Sequence, residues 1–167
     1  MTKQGRNHAV VIGGSMAGLL ATRVLTDHYD RVTLLERDVF PTTAENRRGV
    51  PQGRHTHGLL ASGRQVLDKL FPGISDELIS GGAVSGDIVG KGRWFNEGAC
   101  HKQFASGLDG ILMSRPFLEG RVRNRVLQFP KVQVRENCTV GGLAASADNL
   151  RVTGIQVEGE VLPADLI

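Results

Sequence analysis

Residues 8–25 read HAVVIGGSMAGLLATRVL, an apolar run that passes through a glycine cluster directly into a helical pattern. A five-residue β-branched stretch, His8 to Ile12, is too short for a helix and reads as a strand with both faces covered. From Met16 to about Thr26, Leu19, Leu20, Val24 and Leu25 recur at helical spacing. Ala17 and Ala21 between them let the helix lie close on a sheet. A second buried strand follows at Val32 to Leu35 and ends in Glu36. Strand, helix and strand within 36 residues predict an α/β fold, Rossmann-like, built on a parallel sheet.

The turn between the first strand and the helix carries G-x-G-x-x-G spacing, with Ser15 at the middle glycine position. Each remaining part has a physical task. Gly13 permits the tight turn, the backbone at Ser15 must come close to a pyrophosphate, and Gly18 lets helix and strand approach. The helix amino terminus then offers unpaired N–H groups and the positive end of its dipole to phosphate. Glu36, 23 residues after Gly13, is placed to accept hydrogen bonds from ribose hydroxyls, which a 2′-phosphate would not tolerate. Gly13, Gly14, Ser15, Met16, Ala17, Gly18 and Glu36 are the candidate nucleotide-binding residues. The competing reading is a glycine-rich turn in an ordinary α/β protein.

Further along, Val39 to Leu60 is irregular, with Pro41, Gly49, Pro51 and Gly53 among basic and imidazole residues. A helix is predicted from His57 to Leu70, stopped by Pro72-Gly73, and a short one from Ser75 to Ile79. The Gly-rich stretch Gly81 to Gly110 reads as short strands and turns, with strands at Arg93 to Phe95 and His101 to Phe104. Trp94 and Phe95 are expected in the core. Ser114 caps a helix that carries Pro116 in its first turn. Leu118, Val122, Val126 and Phe129 form its apolar side, and a Glu119–Arg123 pair and the other arginines lie on the exposed side. Four strands follow, at Val132 to Arg135, Thr139 to Leu143, Val152 to Val157 and Val161 to Ile167, with a turn at Asp148-Asn149.

Glycine is the compositional outlier, 22 of 167 residues, and most of the 20 basic residues are arginine. A formal net charge of +3 with one Trp and one Tyr gives no basic run interleaved with aromatics, so nucleic acid is not an expected partner. Arginine with modest net charge suits discrete anionic ligands, because guanidinium grips phosphate or carboxylate bidentately. Cys100 and Cys138 lack metal-ligand spacing and read as thiols in a reducing compartment. His55 and His57 have no third ligand at a supporting spacing, so no metal is expected and a loop-ordering role is the alternative. No apolar run is long enough to span a membrane and no signal-peptide layout is present, which places the chain in the cytoplasm.

Four segments, VVIGGSMAGLLATRVL, LLERD, RRGVPQGRHTHGLL and SRPFLEGRVRNRVL, together resemble the amino-terminal part of the single-component FAD-dependent monooxygenases of the aromatic-hydroxylase fold. The similarity is greatest to the bacterial branch of polyether epoxidases and polyketide-tailoring flavoproteins. The element from Arg47 to His57 is its most specific part. The resemblance implies that FAD lies with its pyrophosphate on the glycine loop and its ribose on Glu36. It further implies Arg37 beside the adenosine, Arg47, Arg48 and Gln52 near the flavin and its phosphates, and Arg115 reaching the cofactor from a helix start. It implies one FAD-binding domain over 1–167, with substrate-side strands beginning at about 81–113. Relatives continue into a second FAD motif after a strand like Val161 to Ile167, so an amino-terminal fragment is expected. Alone, it is expected to bind FAD weakly or not at all and to self-associate through strand edges.

The activity that follows from the resemblance is hydroxylation or epoxidation of a small organic molecule with NAD(P)H and O2. The cofactor carries that chemistry, so no catalytic acid or base is named. Alternatives keep the scaffold without the oxygen chemistry, as an FAD-bound cyclase or a polyprenyl reductase, or reduce it to a non-catalytic nucleotide-binding module.

Overall fold

The computed structural model describes residues 6–167. In chain order the elements are β1 (His8–Ile12), α1 (Met16–Leu25), β2 (Arg31–Leu35), β3 (Thr56–Leu59), α2 (Ala61–Leu70), α3 (Ile74–Ser80) and β4 (Val84–Asp87). There follow β5 (Phe95–Asn96), β6 (Ala99–Cys100), β7 (Asp109–Ser114), α4 (Arg115–Leu127), β8 (Val132–Arg135), β9 (Val140–Ala145), β10 (Val152–Val157) and β11 (Glu160–Pro163). The chain divides into two compact units, one formed by residues up to Pro51 with Val122–Ile167, the other by Gln52–Arg121.

In the first unit β1, β2 and β8 form a parallel sheet in that order. Leu166 adds a parallel bridge to Ala9, with Val10 N–H donating to the Leu166 carbonyl at 2.8 Å. Apart from the exposed Ile12, the apolar residues of β1 and β2 are buried, α1 covering one side of them with Leu19 and Thr22 buried. On this unit β9, β10 and β11 make an antiparallel sheet. Ile155 and Val157 from it join Val10, Leu35 and Cys138 in one buried cluster. Burial of each large side chain of this kind is worth roughly 1.5–3 kcal/mol relative to exposure.

In the second unit β7 lies between β3 and β4, antiparallel to both. Leu67, Phe71, Ile74, Leu78, Ala83, Ile111 and Leu118 are its buried apolar residues among the described residues. Ser114 caps α4 as predicted, its Oγ accepting the Phe117 N–H at 3.3 Å.

Several expectations need correction. The predicted helix from His57 begins only at Ala61, since Thr56–Leu59 pairs residue for residue with Ser114–Ile111 of β7 and that ladder removes the first turn. The strands expected at Arg93 to Phe95 and His101 to Phe104 contract to a two-residue hairpin, Phe95–Asn96 with Ala99–Cys100, turned by the positive-φ pair Glu97 and Gly98. Trp94 and Phe95 are accordingly exposed rather than core. Finally, Arg123 is buried instead of sitting on a solvated helix face. Its guanidinium donates to the Pro41 carbonyl at 2.7 Å and lies 5.1 Å from the Phe40 ring centre. The last expected strand, Val161 to Ile167, is β11 followed by the Leu166 bridge.

Candidate functional site

The β1–α1 turn is shaped by two glycines that cannot be exchanged cheaply. Gly13 holds φ +94, a conformation glycine adopts without strain, and its N–H donates to the Leu35 carbonyl at 2.7 Å. A Cβ on Gly18 would overlap the Gly13 carbonyl oxygen, so the helix start and the strand end touch through bare backbone. Ser15, in extended conformation at the helix cap, forms no side-chain cap bond and needs no glycine. The turn thus leaves the amino terminus of the ten-residue α1 directed at the mouth of a cleft.

That cleft holds about 480 Å³. The glycine loop contributes Gly13, Ser15, Ala17 and Gly18, and the end of β2 contributes Glu36, Arg37 and Asp38. Arg47 lines it from the loop after β2, and Cys138, Thr139 and Val140 line it from the β8–β9 connection. Arg37, Asp38 and Thr139 are shared with an adjoining hollow of about 410 Å³ that also meets Arg48.

Glu36 is the electrostatic centre. Its Oε2 accepts the Gly14 N–H at 2.8 Å and stands 3.0 Å from an Arg47 terminal nitrogen. Its Oε1 accepts the Asp38 N–H at 3.0 Å. The second Arg47 terminal nitrogen donates to the Gly14 carbonyl at 3.0 Å, closing a ring of contacts between Glu36, Gly14 and Arg47. Burial alone would raise the Glu36 pKa. The N–H groups of Asp38 and Gly14 and the Arg47 guanidinium outweigh it and hold the carboxyl below its ordinary range. A carboxylate has about four acceptor positions, so two N–H bonds and one ion pair leave acceptor capacity on Glu36.

The site residues expected from sequence are distributed as follows. Gly13, Ser15, Ala17, Gly18, Glu36, Arg37 and Arg47 meet at the one cleft, and Arg48 meets the adjoining hollow. Gly14 binds Glu36, and Met16 opens α1. Gln52 and Arg115 belong to the second unit. Gln52 lies in the short 3-10 turn Pro51–Arg54, and Arg115 opens α4 with its Nε donating to Glu119 at 3.3 Å. The His57 Nδ1–H donates to the His55 carbonyl oxygen at 2.8 Å.

Sequence reading missed Asp38, Val50 and the Cys138–Val140 wall. The wall reaches the cleft because β8 lies parallel to β2, with Glu36 and Cys138 tied by an N–H···O bond of 2.9 Å. Such a neighbour cannot be seen from local spacing, although Cys138 directly preceding a predicted strand was a usable signal.

The residues fit a dinucleotide. Any side chain at Gly18 would fill the glycine cradle, a buried carboxylate lines the cleft, and arginines flank it. Among the described residues no helix is long and apolar enough to cross a membrane.

No protein-family model matches the sequence. Over 142 residues the chain is 40% identical to protein Rv3254 of Mycobacterium tuberculosis, a match covering 77% of this chain and 28% of that one. Among solved structures it is similar to PqsL of Pseudomonas aeruginosa, a probable FAD-dependent monooxygenase. The TM-score is 0.70 at 18% identity, covering 95% of this chain and 41% of that one. A variant of 2-methyl-3-hydroxypyridine-5-carboxylic acid oxygenase matches with TM-score 0.62 and 26% identity, over 98% of this chain and 39% of the other. The Diels-Alderase PyrE3 of pyrroindomycin biosynthesis matches with TM-score 0.64 and 18% identity, over 96% and 31%. The chain spans well under half the length of each of these relatives. Its α/β architecture, with the glycine turn and the strand-rich sheets, matches the FAD-binding monooxygenase fold, of which it spans a part.

Proposed function

We propose that the cleft binds the adenosine diphosphate portion of FAD and that the chain serves a flavoprotein oxidoreductase, a monooxygenase that uses NAD(P)H and O2 on a small organic molecule. The observation that carries this reading is the buried Glu36 carboxylate, fixed by Gly14, Asp38 and Arg47 and facing the cleft opened by the Gly13–Gly18 turn. In this reading the α1 amino terminus faces the pyrophosphate, Glu36 accepts a ribose hydroxyl, and Arg37 flanks the adenosine. Arg48, Gln52 and Arg115 are proposed contacts to the remainder of the cofactor. When bound, FAD would supply hydride acceptance and oxygen activation. The protein residues named here bind and orient.

Titration of this chain with ADP tests the reading, with saturable binding expected and its loss on Glu36→Ala. Binding indifferent to Glu36 would defeat it. Oxygen chemistry is tested on the complete gene product by NAD(P)H oxidation and O2 uptake that depend on added substrate. The likeness to a protein named as a Diels-Alderase supports a second reading, a cyclase holding FAD structurally, and absence of O2 uptake would favour it.

A further inference from the structure

Arg47 was expected to lie near the flavin and its phosphates, yet the contacts of its guanidinium point elsewhere. One terminal nitrogen stands 3.0 Å from Glu36 Oε2 and the other donates at 3.0 Å to the Gly14 carbonyl. The side chain is only 5% exposed. A rigid planar fork that holds a carboxylate and a carbonyl at once fixes them relative to each other, which a point charge cannot do.

Beneath this clasp lies Phe40. A Cβ on Gly14 would overlap the Phe40 ring edge, so the ring carries the bare Gly14 backbone. The Arg47 guanidinium carbon is 5.2 Å and that of Arg123 5.1 Å from the ring centre, within cation–π range. Phe40 is anchored on both sides: its N–H donates to Glu136 Oε1 at 2.9 Å, and the next carbonyl, Pro41, accepts from Arg123 at 2.7 Å. Arg123, on α4, therefore fixes the loop that seats Phe40, and Phe40 seats Gly14.

We propose that Arg47 is a positioning residue rather than a phosphate ligand: with Phe40 and Arg123 as its support, it sets the Glu36 carboxylate so that the remaining acceptor meets the ribose hydroxyl. The inference rests on the nucleotide reading above and deepens it by reassigning Arg47 and adding Phe40 and Arg123.

The test compares Arg47→Met, Arg47→Lys, Arg123→Met and Glu36→Gln in the full chain. ADP and 2′,3′-dideoxy-ADP, which lacks the ribose hydroxyls, are the ligands, with ¹³C-carboxyl titration of Glu36 followed without ligand. Arg47→Met is expected to weaken ADP by about tenfold, the scale of one charge-assisted hydrogen bond, while dideoxy-ADP changes less than about twofold. Combined with Glu36→Gln it should add nothing further. Arg47→Lys should behave like Arg47→Met, and Arg123→Met should act in the same direction with smaller effect. The Glu36 titration midpoint should rise in Arg47→Met. Equal weakening of both ligands would make Arg47 a phosphate ligand and overturn the proposal, as would full rescue by lysine or an unmoved Glu36 midpoint. A parent chain that ignores ADP would defeat the nucleotide reading instead, and the Glu36 titration would still judge the clasp. Should Arg47→Met fail to fold, Arg47→Lys and Arg123→Met carry the same comparisons.

Discussion

Each unit contains a carboxylate that gathers backbone N–H groups, and the two end differently. In the second unit Asp87 accepts from Val89 and Gly90 N–H and the Ser106 hydroxyl at one oxygen, and from Ser106 and Gly107 N–H at the other, all at 2.7–2.9 Å. These donors hold its pKa well below the ordinary range, the Gly90 N–H contributing most. Every acceptor position is spent on the loops the residue joins. Glu36, in the first unit, takes three donors, one of them a guanidinium, and stands at a cleft. The contrast teaches that a depressed carboxyl pKa marks an anion well supplied with hydrogen-bond donors in either case. What separates a loop clasp from a binding group is the acceptor left over and the space in front of it.

The most damaging change should be Gly18→Val, which drives a branched side chain into the Gly13 carbonyl. Overpacking of this kind costs about 1–3 kcal/mol of stability, and nucleotide binding should be lost with it. Thermal unfolding and ADP titration together check this, and a variant that binds ADP like the parent would contradict the turn's assignment.

Glu36→Ala should weaken ADP by about 1.5–3 kcal/mol, the range for hydrogen bonds to a charged group. Asp87→Asn should leave ADP affinity unchanged while lowering the unfolding temperature. Calorimetry on both variants would break the comparison if Asp87→Asn altered ADP affinity as Glu36→Ala does.

Acid should expose both carboxylates. Their folded pKa values lie below the unfolded ones, so the unfolded chain binds more protons and each contributes stability at pH above about 4 that disappears as pH falls. Unfolding temperature should therefore drop below about pH 4, and the slope should be shallower in Asp87→Asn. An equal slope in that variant would remove Asp87 from the linkage.

The smallest effect is expected from Ser15→Gly. Ser15 sits at the helix cap with extended backbone, where glycine is itself tolerated, so stability should move by only a few tenths of a kcal/mol. A larger change in unfolding temperature or ADP affinity would give the hydroxyl a role.

The parts of the site legible in sequence are those written in consecutive residues. The buried run at β1, the small residues of α1 and the acidic end of β2 each announce a local physical need, and the cleft forms where they meet. Non-local pairing hid the remainder. Thr56–Leu59 carries Gly58 and no sustained alternation, and becomes a strand only beside β7. Cys138 reaches the cleft only because β8 lies next to β2. Arg123 looked like one more helix-surface charge, and its burial is decided by Phe40 and Pro41, more than 80 residues away.

Gly14 has no room for a methyl group because the Phe40 ring occupies that place. The two positions are therefore a single heritable choice: a lineage can widen residue 14 only after, or together with, shrinking residue 40. Selection for suppressors of Gly14→Ala should return smaller side chains at position 40, and ancestral histories of such chains should record the two exchanges in that order.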